Sequence, residues 1–243
     1  MEAYKSLITK ANQSDLLKKE VEDIIKKDVQ RPLTSIGASN KQALSNILRI
    51  YALFNPSVGY CQGMSFIAEF FLVHLKSEPL AFAFFSAVIE RYGMSSLFTD
   101  GLPLLRRFLY QMDRLVYFQD KNLMIAFLNE GITSAHFSSP WFMSLFTFML
   151  KEDDSEALLP FWDTFLLYGW KAVFRAGIYC VKKLNKKDTD NRELVKELST
   201  GAAIQSNRSE FIEEFKKIPV KSRMLELLNR EYNNIQKLGQ STK

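Results

Sequence analysis

Asn55-Pro56-Ser57-Val58-Gly59-Tyr60-Cys61-Gln62-Gly63-Met64 runs directly into the apolar positions Phe66, Ile67, Phe70 and Phe71. Asn, Pro, Ser and Gly each favour turns for their own reasons, and the spacing that follows is that of one helix face. A turn therefore hands over to a helix, with Gln62 set between two glycines at the joint. An amide held there stands on a rigid element, near a helix N-terminus whose backbone N–H groups point outward.

The same pattern of helix and punctuation spreads in both directions. Upstream, Ser14-Asp15 can cap a helix carrying Leu16, Leu17, Val21, Ile24 and Ile25. It ends at Arg31-Pro32, because the residue before proline is turned away from the helical region. Asp28 lies three residues before Arg31, where it can brace the guanidinium. A loop with Gly37 and Ser39 leads to a second apolar face at Ala43, Leu44, Ile47, Leu48 and Tyr51. Downstream, helices are predicted at about 64–76, 79–92, 102–113, 119–129, 138–150, 155–168, 170–184, 190–199, 207–216 and 220–238, each bounded by Pro, Gly, Ser or Asp. Almost no alternating strand pattern occurs, so the fold class is all-α. No internal repeat or low-complexity linker divides residues 1–243. The expectation is one large helical domain, and any split into two lobes is unmarked by composition.

With 243 residues and 47% hydrophobic content, the chain can bury a substantial core. Cys61 and Cys180 cannot build a disulfide framework or a four-ligand zinc site, and the N-terminus is polar and contains lysine, unlike a signal peptide. A reducing, cytoplasmic setting is the expectation. The apolar stretches Phe66–Leu75 and Ala81–Ile89 fall well short of the roughly 20 residues that cross a bilayer. A net charge of +5 favours acidic partners or anionic surfaces. The lysines come in pairs along helical patterns with acidic residues between them, which is not the basic stripe of a nucleic-acid binder.

Other conspicuous residues read as structural. Trp141, Trp162 and Trp170 lie in aromatic-rich helices and fill the core. His74 and His136 have no Cys or carboxylate at ligand spacing, so no metal site is expected. Cys61 has no evident base partner and reads as a buried thiol. Glu152-Asp153-Asp154 reads as a solvated loop and helix start. No Gly-x-x-x-x-Gly-Lys loop or dinucleotide-type glycine turn occurs, so no nucleotide or cofactor of its own is expected.

Two segments resemble the signature motifs of the TBC domain, the family of GTPase-activating proteins for Rab GTPases. The family's Ile-x-x-Asp-x-x-Arg-Thr appears as Ile25-Lys26-Lys27-Asp28-Val29-Gln30-Arg31-Pro32, and its Tyr-x-Gln-Gly as Tyr60-Cys61-Gln62-Gly63. The likeness continues through Leu44–Tyr51, Trp141–Phe146 and Phe161–Arg175, five segments in register from about Tyr4 to the C-terminal helix. The resemblance implies that Arg31 is an arginine finger and Gln62 a glutamine finger, both supplied in trans to a GTP-bound Rab-type GTPase. It also implies that the activator has no substrate pocket of its own, that GTP and Mg²⁺ arrive with the partner, and that any membrane contact is peripheral, at endomembranes. Asp28 would brace the finger, Tyr60 would support the site or touch the partner, and Gly63 would allow close backbone approach. The alternative is a helical module that binds a GTPase or trafficking partner without stimulating hydrolysis. Pro32, where the family has threonine, favours that alternative, since it removes a hydroxyl and a backbone N–H. The family's opening Gly-Ile-Pro and Arg-x-x-x-Trp helix is not recognisable, and its loss is expected to cost stability more than chemistry.

Overall fold

The computed structural model describes residues 2–13, 17–30, 38–149, 155–185, 190–206 and 208–241. All regular structure among them is helical, as expected. The chain divides into two compact units, residues 1–103 with 143–156 and residues 104–142 with 157–243.

The first unit begins with α1 (Glu2–Gln13), α2 (Lys19–Gln30) and α3 (Ala38–Phe54). Tyr4 and Ala11 of α1 are buried with Ile50 of α3, flanked by Leu7, Ile8, Leu53 and Phe82. The Arg49 guanidinium on α3 gathers the three helices, donating from Nε to Glu22 at 2.6 Å and from Nη2 to the Ala11 carbonyl at 3.0 Å. α4 (Met64–Leu75) and α5 (Glu78–Arg91) follow, with the short α6 (Ser95–Phe98) after them. α4 lies against α2, α3 and α5. Its residues Met64, Ile67 and Ala68 are wholly buried, which is why this helix is apolar on nearly every side.

The second unit holds α7 (Pro103–Gln119), α8 (Lys121–Asn129) and most of α9 (Ala135–Ser144), then α10 (Leu159–Tyr168) and α11 (Trp170–Leu184). It ends with α12 (Asn191–Thr200), α13 (Ala202–Ser206), α14 (Arg208–Glu214) and α15 (Ser222–Ser241). Asp120 and Asp190 cap α8 and α12, each accepting from backbone N–H groups of the first turn. α11 is the hub: α10, α12, α13 and α14 all pack on it. Trp141 is fully buried and meets α11 so closely that a Cβ at Gly177 would lie 2.9 Å from its ring.

Some expected helix bounds need correction: α2 starts at Lys19, past Leu17, and α10 starts at Leu159, after a 3-10 turn at Ser155–Leu158. The helix predicted over 138–150 stops at Ser144, because Leu145 and Phe146 take φ of 50° and 64°, and a 3-10 turn follows at Thr147–Met149. Both are fully buried side chains, so packing holds the backbone where L-residues rarely go. The break predicted near residue 113 is absent, since α7 runs on to Gln119 and the start of α8 is set by the Asp120 cap.

Candidate functional site

The loop between α3 and α4 is pinned at both ends. Asn55 closes it at the start: its carbonyl accepts from the N–H groups of Val58 and Gly59 at 3.0 and 2.7 Å. The Asn55 side chain in turn donates to Glu90 at 3.1 Å and accepts from the Ser57 hydroxyl at 3.0 Å. Gly59 turns the chain at φ 62°, and Gly63 caps α4 at φ 108°, a conformation that any side chain would strain. A Cβ at Gly63 would make only ordinary contact with Met143, 3.6 Å from its carbonyl oxygen. Backbone conformation, rather than crowding, is therefore what this position asks of glycine.

Between those glycines, alternate residues go to opposite fates. Tyr60 is 8% exposed, while Gln62 stands in solvent one residue before the α4 cap. The Tyr60 hydroxyl donates to the Asp28 carboxylate at 2.6 Å, a buried bond between residues 32 apart. Burial first, and that hydrogen bond second, push the Tyr60 phenol above the ordinary tyrosine range, with the Ser65 hydroxyl acting weakly the other way. Asp28 is itself 2% exposed, in the last turn of α2. A buried carboxylate needs donors, and the loop brings it one.

Of the residues expected to form the site, Asp28, Tyr60, Gln62 and Gly63 come together here, all within the first unit. Arg31 and Pro32 lie outside the described residues; α2 ends at Gln30, next to Arg31 in the chain. Tyr60 is buried, and its bond to Asp28 makes a strut between α2 and the loop. Cys61 is half-buried, and burial followed by the nearby Asp28 charge raises its thiol, so it stays protonated at neutral pH. Two contributors escaped the sequence reading. Ser65 is buried beside the Tyr60 phenol, and Met143 walls Gly63 from 80 residues away. Nothing in the spacing of the chain marks either.

The family model of the Rab-GTPase-TBC domain matches residues 2–189. The chain belongs to that family. Among curated TBC relatives, it is 29% identical over 163 residues to the GTPase-activating protein GYP5 of Saccharomyces cerevisiae, covering 67% of this chain and 18% of that one. It is 33% identical over 147 residues to GTPase activating protein Gyp51 of Schizosaccharomyces pombe, covering 60% and 14%. The chain thus spans less than a fifth of either relative's length. Two solved TBC structures share the fold. A Chlamydomonas flagellar RabGAP TBC domain superposes with a TM-score of 0.70 at 22% identity, over 87% of this chain and 70% of that one. The Ypt/Rab-GAP domain of Gyp1p gives 0.59 at 18%, over 98% and 80%.

Proposed function

We propose that residues 1–243 act as one TBC domain that binds a GTP-loaded Rab-type GTPase and speeds its hydrolysis, with Arg31 and Gln62 entering the partner's site. The observation that carries this reading is the 2.6 Å bond from Tyr60 to Asp28, which ties the last turn of α2 to the loop presenting Gln62. Two elements that would deliver two fingers are thereby fixed to each other through a buried, directional contact. GTP and Mg²⁺ come with the partner, and the bound metal neutralises charge on the phosphates.

Each finger has a task suited to its chemistry. In phosphoryl transfer, charge spreads over the transferring oxygens, and a guanidinium stabilises it by about 10³- to 10⁵-fold in related systems. Arg31 would supply that cation. The Gln62 amide can accept from a water through its oxygen and donate through its nitrogen, so it would orient the attacking water. Exposure of Gln62 is what such a role requires. Among the described residues no helix is long and apolar enough to cross a membrane, and association with endomembranes through the partner is proposed to be peripheral.

Single-turnover phosphate release from a panel of GTP-loaded Rab GTPases tests the proposal. The expected result is acceleration of about 10³-fold or more, abolished separately by Arg31→Ala and Gln62→Ala. GTP-dependent binding without acceleration would instead identify a tether.

A further inference from the structure

The end of α10 presents apolar side chains to solvent, next to two cations that have no acidic partner among the described residues. Leu167 is 77% exposed and Tyr168 51%. Gly169 follows at φ 60°, ψ −141°, a corner that only glycine adopts without strain, and α11 starts at once. The corner is fixed by hydrogen bonds from the Gly169 N–H to the Phe165 carbonyl at 2.7 Å and from the Ala172 N–H to the Gly169 carbonyl at 2.9 Å. From the first turns of α11, the Lys171 ammonium and the Arg175 guanidinium each lie 5.7 Å from the centre of the Tyr168 ring. Neither forms an ion pair among the described residues.

That combination sets this patch apart from other exposed apolar side chains. Phe118 also carries a guanidinium over its ring, that of Arg114, but Glu231 lies 3.5 Å from Arg114. At Tyr168 neither cation has an acidic partner among the described residues. One carboxylate, Asp163, is exposed on α10, a turn back from Leu167 and on the same side.

We propose that the Leu167–Tyr168 corner is a contact for an anionic lipid surface. A side chain as exposed as Leu167 stands clear as a protrusion, which fits a planar bilayer interface rather than a peptide lying in a groove. Tyrosine favours the headgroup level, where its ring is apolar and its hydroxyl stays wet. Lys171 and Arg175, stacked on that ring, would meet lipid phosphates while their stems cover apolar surface. The net charge of +5 adds long-range attraction of the same sign. This contact uses none of the finger residues and does not depend on GTP hydrolysis.

The test is co-sedimentation of the 243-residue chain with vesicles of phosphatidylcholine alone and of phosphatidylcholine mixed with phosphatidylserine. Partition onto the mixed vesicles is expected, weakening as salt rises. Leu167→Glu and the double variant Lys171→Glu/Arg175→Glu should each lower it by about tenfold. Lys5→Glu/Lys10→Glu, the same charge change elsewhere, should retain most of it. Circular dichroism confirms that every variant folds. The proposal is overturned if wild type stays off the anionic vesicles, or if the control pair loses as much as the corner variants. It is also overturned if poly-glutamate captures the chain through Lys171 and Arg175 while vesicles do not, which would mark an acidic protein partner.

Discussion

In the first unit the helices are joined through polar groups in defined pairs: Tyr60 to Asp28, Arg49 to Glu22, and both Tyr4 and Asn46 to Glu78 at 3.1 and 3.0 Å. In the second, polar pairs such as Asn185 with Asp120 are joined by wide ring packing. Phe108 lies 4.6 Å from Trp170 and 5.5 Å from Phe174, and Phe211 stacks on Phe215 at 4.7 Å. The two chemistries fail differently. A hydrogen bond between buried groups adds little net stability, yet it is directional, and removing one partner leaves the other desolvated. Ring packing contributes through area and shape, so it resists excess volume more than lost direction. Around the candidate site, helices are thus positioned in part by bonds with a required geometry.

The strongest way to probe that contrast is to separate rate from stability. Gln62→Ala should lower the stimulated rate by about 10³-fold while the melting temperature stays within a degree or so, because Gln62 is exposed. A large melting shift would mean that the glutamine belongs to the scaffold. Gly177→Ala should do the reverse. Its methyl would meet Met112 Cε at 2.6 Å and the Trp141 ring at 2.9 Å. Met112 can swing away but the buried indole cannot, so a loss of about 3 kcal/mol is expected in chemical denaturation.

Tyr60→Phe joins the two readouts. It leaves the Asp28 carboxylate without its phenolic donor and should cost about 2 kcal/mol. The rate should fall as well, by less than with Gln62→Ala, since the loop is loosened and the amide kept. An unchanged rate would break the link between the strut and the site.

The gentlest probe is alkali. The folded-state phenol of Tyr60 is raised above its unfolded value, so its contribution is fully present below pH 10 and is lost as pH rises further. Between pH 10 and 11 the stability advantage of wild type over Tyr60→Phe should shrink by at most about 1.4 kcal/mol. An advantage that grows over this range would reverse the sign of the assignment.

Much of this could be read from the chain. α4, α5 and α11 fall within a residue or so of expectation, and α10 ends where expected, because Gly63, Ser77, Gly169 and Asn185 bound them locally. The corner at Leu145-Phe146 could not, because two bulky residues with positive φ are held there by tertiary packing and no local preference announces it. At the site, Asp28, Tyr60, Gln62 and Gly63 were recognisable as motif letters. The bond between Tyr60 and Asp28 was not: within α2, Asp28 reads as a partner for Arg31, and only the fold brings Tyr60 to it.

The strut also bears on how such a chain can age. Gln62 is exposed, so folding does little to protect it from replacement. Asp28 and Tyr60 are guarded by each other, because a change at either deprives a buried polar group of a short hydrogen bond at the other. On the role proposed for Gln62, a descendant released from selection for hydrolysis would shed its glutamine early and carry the tyrosine and aspartate for much longer, the worn socket of a tool whose blade has gone.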